Sequence, residues 1–133
     1  PILSLLALDA ALDAFDGVDM AQAYAKVQSL TGLFIALADE RLMHHAFTLA
    51  SPRDNAQRGA QVSLAHPQGY AIMQALIARG LIGDFRAPDI VRFGFAPLYT
   101  RYTDVFDAVA LIDDVMTTRA WDTADFKARK AVT

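Results

Sequence analysis

The chain is predicted to fold as an α+β protein, with two helices followed by a β-β-α-β-β-α unit whose sheet is mainly antiparallel. Three observations point there. Apolar residues recur at helical spacing over the first 43 positions, the period changes after His45, and four short candidate strands then bracket a single helical segment. Strands this short and this close in sequence favour antiparallel pairing, with helices packed on one face.

Each element has its own warrant. Ile2, Leu5, Leu6, Leu8, Leu12 and Phe15 form the first helical series, with Asp9, Asp13 and Asp16 among them, and Gly17 breaks it. Asp19 is placed to cap a second helix, because its carboxylate can accept the unsatisfied amide hydrogens of the first turn. Met20, Tyr24, Val27, Leu30, Phe34 and Leu37 follow at steps of three and four, and Arg41 sits where a cation suits a helix end. Ala46–Ala50 and Gly59–Ala65 read as strands joined by the polar loop Ser51–Gln57; in the second, Gln61 and Ser63 alternate with Val62 and Leu64. Pro67 suits the first turn of a helix and Gly80 the position just past its end, with Ile72, Met73, Leu76 and Ile77 as the buried face. Leu81–Phe85 and Ile90–Phe95 are the remaining strands, separated by the turn sequence Arg86-Ala87-Pro88-Asp89. Thr103 can cap a last helix, with Val105, Val109, Ile112 and Val115 or Met116 as its core stripe. The domain division expected is a helical connection over 1–43, a small α+β domain over 44–121 and a polar tail over 122–133.

Composition narrows the class of function. The 133 residues are 54% apolar and 20% charged with a net charge of −3, which is consistent with one well-cored domain and against disorder. Alanine accounts for 25 residues and the longest apolar run, Leu33 to Ala38, is six long, far short of the roughly 18–20 that a spanning helix needs. Fifteen acidic against twelve basic residues leave no positive excess for a nucleic-acid backbone, so neither membrane nor nucleic acid is expected as a partner. The absence of cysteine removes thiol chemistry and suits a reducing, cytoplasmic setting. No secretory signal pattern opens the chain.

The segment richest in chemistry runs from Asp89 to Asp104. On a strand, Val91, Phe93 and Phe95 point to the core, while Ile90, Arg92 and Gly94 face the other way. An arginine beside a residue with no side chain leaves room for a ligand, and its fork matches a carboxylate with two charge-assisted hydrogen bonds. On spacing alone the ordinary reading, an arginine on a solvated face paired with a neighbouring Asp, has the stronger claim. His44-His45 reads as a polar helix-end pair rather than a shared metal site, since adjacent residues do not share a helix face. His66 reads as a cap before Pro67, Asp113-Asp114 as a solvated face, and Lys26, Lys127 and Lys130 as solvated lysines. Arg58, Arg86 and Arg101 are secondary candidates for supporting a ligand site or dimer contacts.

The same segment resembles the C-terminal domain of pyridoxal-phosphate enzymes of the aspartate aminotransferase fold type, in the branch that contains the cysteine desulfurases. More narrowly, the chain resembles the kynureninase family. The motifs are Pro1-Ile2-Leu3, Arg58-Gly59-Ala60-Gln61-Val62-Ser63, Arg79-Gly80, Gly83-Asp84-Phe85-Arg86 and Arg92-Phe93-Gly94-Phe95-Ala96-Pro97-Leu98-Tyr99, spread from Pro1 to about Met116. Each is weak alone; their order and spacing together are specific. The resemblance implies a domain of an enzyme that hydrolyses L-kynurenine, or its 3-hydroxy derivative, to anthranilate or 3-hydroxyanthranilate and L-alanine in tryptophan catabolism, a route to NAD. It implies that Arg92 binds the α-carboxylate of the substrate, that pyridoxal 5′-phosphate serves the complete enzyme, and that the complete enzyme is a homodimer. The family's Schiff-base lysine, pyridine-nitrogen aspartate and phosphate cup all precede the point where this chain begins. The chain by itself is therefore expected to be inactive, with no catalytic, cofactor-binding or metal residue of its own and a missing large domain as its partner. Two other readings stay open: a free-standing α+β module that binds an amino acid or a partner, and a cysteine desulfurase or aminotransferase small domain.

Overall fold

The computed structural model describes residues 1–129. Nine elements follow in order: α1 (Ile2–Leu12), α2 (Met20–Arg41), β1 (Thr48–Leu49), β2 (Gln61–Ala65), α3 (Gly69–Ala78), β3 (Asp84–Arg86), β4 (Ile90–Gly94), α4 (Tyr102–Thr117) and α5 (Ala124–Lys127). Short 3-10 turns lie at Asp13–Phe15, Met43–His45 and Asn55–Gln57. The predicted α+β class and antiparallel sheet are what the structure has.

Local chemistry explains the ends of these elements. Asp19 caps α2 by accepting from the amides of Ala21 at 2.8 Å and Gln22 at 3.2 Å. Gly17 takes φ +73°, the left-handed conformation that ends the preceding turn. Gly80, at φ +90°, does the same beyond α3, where the Leu81 and Gly80 amides bond back to the Leu76 and Ile77 carbonyls at 3.0 Å each.

The sheet order is β1-β2-β4-β3, all antiparallel. Register places Val62 opposite Phe93 and Leu64 opposite Val91, and these four side chains are buried. They meet Leu30 and Phe34 of α2, Ile72, Met73 and Leu76 of α3, and Val105, Val109 and Ile112 of α4 in one core. Burying these side chains supplies most of the drive to fold, at about 1.5–3 kcal/mol for each large one. Phe34 packs its ring against Phe93 and Phe95, at centroid separations of 5.2 and 5.3 Å. Helices α2, α3 and α4 cover one side of the sheet; the other, bearing Gln61, Ser63, Arg92, Gly94, Asp84 and Arg86, is open.

Several boundaries differ from the sequence reading. The first strand is only Thr48–Leu49 and the second begins at Gln61. The third is Asp84–Arg86 instead of Leu81–Phe85, so Arg86 belongs to a strand rather than to the turn. The fourth ends at Gly94. Helix α3 begins at Gly69, because Pro67 and Gln68 form a preceding turn. Helix α4 begins at Tyr102, so Thr103 lies inside it; the Asp104 carboxylate accepts from the Arg101 amide at 2.8 Å and secures that end. Ile77, Met20 and Tyr24 are exposed despite lying in apolar series. The predicted polar tail contains α5, whose Phe126 packs against the core, and the Tyr70 hydroxyl donates to the Ala128 carbonyl at 3.3 Å. Lys130 and the rest of the tail lie outside the described residues.

Helix α1 behaves differently from the others. None of its residues is buried, and Ile2 and Leu3 are 77% and 83% exposed. Its leucines lie on more than one side, a pattern that belongs to helices covered all round. No helix of the described residues is long and apolar enough to cross a membrane.

Candidate carboxylate site on the open sheet face

Arg92 sits at the middle of β4, on the sheet's open side. Across the ladder it stands between Ser63 of β2 and Asp84 of β3. Directly opposed residues in an antiparallel pair have adjacent side chains, so this register brings a carboxylate beside the guanidinium. Arg92 Nη2 donates to Asp84 Oδ2, and the same oxygen lies 3.2 Å from Arg86 Nε. The Arg92 hydrogen bond, helped by the charges of Arg86 and Arg92 itself, holds the Asp84 carboxyl below the usual carboxylate range.

The cluster is neither sealed nor fully solvated. The side chains of Arg92, Asp84 and Arg86 are 29%, 45% and 64% exposed. Arg92 Nε is buried and has no hydrogen-bond partner among the described residues. Beside it Gly94 opens onto space, with no atom within 4 Å of where a Cβ would stand. The neighbouring Asp foreseen by the ordinary reading is thus Asp84, and the gap beside the glycine is present as well. What the arrangement can do is bind an anion: a partly desolvated guanidinium with unused donor capacity next to an accessible gap.

The remaining candidates have other tasks. Arg58 is buried, 6% exposed, and stitches a loop: Nη1 donates to the Pro52 and Arg53 carbonyls at 2.6 and 2.9 Å, and Nη2 to Thr31 Oγ1 at 3.2 Å. Arg101 pairs with Asp104 at 2.6 Å at the start of α4. His66 accepts from the Gln68 amide at 2.9 Å through Nδ1, a turn cap as expected, and burial pushes its imidazole below the ordinary value.

Two readings are corrected. Lys26 is not simply solvated: its Nζ donates to the Pro97 carbonyl at 2.6 Å, tying α2 to the segment after β4. Asp113-Asp114 is not a bare solvated face. Asp113 holds His45 Nε2 at 2.9 Å and Arg41 at 3.0 Å, and Asp114 holds Arg79 at 2.5 Å. Lys127 is exposed, as expected, and pairs with Asp122.

The histidine pair lies on a 3-10 turn, not on an α-helix, and its rings pack at a tilt of 41°, 3.8 Å between centroids. Potential ligand atoms of His44, His45 and Asp113 come within 4.8 Å of one another, a proximity that helix-face reasoning missed. Arg41 already neutralises the carboxylate, so the group works as an ionic clasp between α4 and the end of α2.

The family model described as "Kynureninase C-terminal domain" matches residues 23–112. The chain is 48% identical over all of its 133 residues to kynureninase of Pseudomonas fluorescens, and covers 32% of that protein. It is equally similar, with the same coverage, to the kynureninases of Burkholderia mallei (strain SAVP1) and Burkholderia pseudomallei (strain K96243). The chain therefore spans about a third of the length of the curated relatives it matches.

Proposed function

The chain belongs to the kynureninase family, as its C-terminal domain, and from that premise we propose that Arg92 grips the α-carboxylate of L-kynurenine or its 3-hydroxy derivative. The complete enzyme would hydrolyse that substrate to anthranilate, or 3-hydroxyanthranilate, and L-alanine, cleaving a carbon–carbon bond. The observation that carries this reading is Arg92's position on the open side of the sheet, with Nη2 held by Asp84, Nη1 without a partner among the described residues and the Gly94 gap beside it. A carboxylate docked there would meet Nη1, which Asp84 leaves free, and be fixed in orientation by a planar fork. Holding the carboxylate lets the enzyme keep the scissile bond in register with the reacting groups, where orientation counts most.

The cofactor, pyridoxal phosphate by family resemblance, does not fit the described residues of this chain. A Schiff base needs a free lysine in a cleft; Lys26 is engaged by Pro97 and Lys127 by Asp122. Its binding belongs to the remainder of the enzyme, and this chain alone is inactive in this reading. Residues 1–43 lead in from that remainder, with α2 doubling as a core helix, residues 44–121 form the small domain and 122–133 the tail. The exposed leucines of α1 are what such a connection would bury. The complete enzyme is a cytoplasmic homodimer in the same reading.

The test is Arg92→Lys in the complete enzyme. Lysine keeps the charge and loses the fork, so KM for L-kynurenine should rise about tenfold or more. An unchanged KM removes the clamp.

A further inference from the structure

A guanidinium that must attract a carboxylate is poorly served by a carboxylate already bonded to it. Asp84 is that carboxylate, and among the residues flanking Arg92 on its own face (Ser63 and Asp84 across the ladder, Ile90 and Gly94 along the strand) it alone is charged. The strand geometry also supplies the remedy. Arg86 lies two residues beyond Asp84 on β3, hence on the same face, and its Nε reaches the oxygen that Arg92 uses. Two cations share one anion, so the cluster keeps a net charge of +1.

We propose that Arg86 is a positioning residue for carboxylate binding at Arg92: it neutralises Asp84, so that Asp84 can brace the Arg92 guanidinium without cancelling its charge. The inference rests on the reading of Arg92 as the substrate-carboxylate clamp. The division of labour follows from the contacts. Asp84 takes one Nη of Arg92 and fixes the plane of the fork. Arg86, the most exposed of the three, contributes charge more than contact. Its loss would leave an Arg92–Asp84 pair of zero net charge facing an anionic substrate, which weakens attraction without removing any group that touches the substrate.

The experiment is a charge series in the complete enzyme, reading KM and kcat for L-kynurenine. Arg86→Lys should keep KM within about twofold, Arg86→Gln should raise it about fivefold, and Arg86→Glu should raise it further, with kcat changed less than about twofold throughout. Removing both opposite charges in Asp84→Asn/Arg86→Gln restores the net +1, and should bring KM at least about threefold below that of Arg86→Gln alone. A merely structural Arg86 gives no such rescue. Equal KM for the Lys, Gln and Glu variants, or a double variant no better than Arg86→Gln, overturns the inference. Arg92→Lys separates the two levels. If it raises KM while the Arg86 series stays flat, only the present inference falls; if it leaves KM unchanged, the clamp falls and this inference with it.

Discussion

Gly83 tests whether the backbone that carries Asp84 is held at a fixed distance from Arg92. It immediately precedes β3, and a Cβ built on it would lie 2.6 Å from Met73 Cε, 2.9 Å from the Arg92 carbonyl oxygen and 3.0 Å from Met73 Sδ. Carbon atoms in ordinary contact stand about 3.5–4.0 Å apart, so the added methyl intrudes by roughly 1 Å. Met73 Cε ends a flexible side chain and can give way, but the Arg92 carbonyl is backbone and cannot. Overpacking of this kind costs about 1–3 kcal/mol. For a chain of this length that corresponds to a fall in Tm of roughly 4–10 °C. Strand β3 is the part that moves, since only three residue pairs hold it to β4. The assay is thermal unfolding of Gly83→Ala followed by circular dichroism, with Gly59→Ala as the control, because a Cβ at Gly59 meets nothing within 4 Å. A Gly83→Ala protein that melts with the wild type, or no lower than the Gly59→Ala control, refutes the reasoning.

Other consequences follow from buried polar groups. Arg58→Met keeps the stem's volume and strands the Pro52 and Arg53 carbonyls, so urea unfolding should show a loss of about 2–4 kcal/mol; a loss below about 0.5 kcal/mol would mean water replaces the guanidinium freely. His66 sets a pH dependence. Burial lowers its folded value below that of the unfolded chain, so the unfolded state takes up the proton first, and stability falls as pH drops below about 6.5. The depressed carboxyls of Asp84 and Asp113 contribute stability that is present above an unfolded value of about 3.9, so they add a second loss only below about pH 4. Urea midpoints at pH 7.5 and 5.5 should therefore differ for the wild type and converge in His66→Gln; identical wild-type midpoints would contradict the sign.

How much of this was legible in the sequence depends on the range of the interaction. Local chemistry read well. The Asp19 cap, the left-handed glycines at 17 and 80 and the inward series Val91, Phe93 and Phe95 are all set by neighbours a few residues away. Strand ends read less well, since they depend on a partner strand. Leu81–Phe85 has the composition of a strand, yet β4 offers pairing only from Ile90 to Arg92, and β3 slides to Asp84–Arg86 to meet it. The adjacent histidines misled for a related reason. The rule that neighbours diverge holds on an α-helix, and they lie on a 3-10 turn beside Asp113, 68 residues away. Asp84 was invisible as a partner of Arg92 because it becomes one only through that shifted register.

That partnership bears directly on whether Arg92 binds substrate or merely closes an ion pair. A solvent-exposed pair is worth about 0–1 kcal/mol, and Asp84 is 45% exposed, so the contact adds little to stability. It is also weak enough for a ligand's carboxylate to share the fork, since a bidentate charge-assisted contact is the stronger of the two. What the pair does achieve is to hold a long, flexible side chain in one orientation before any ligand arrives, with the loss of rotamer freedom already met during folding. Asp84 takes the guanidinium through Nη2, and Nη1, which bonds to none of the described residues, is the donor left for a second anion.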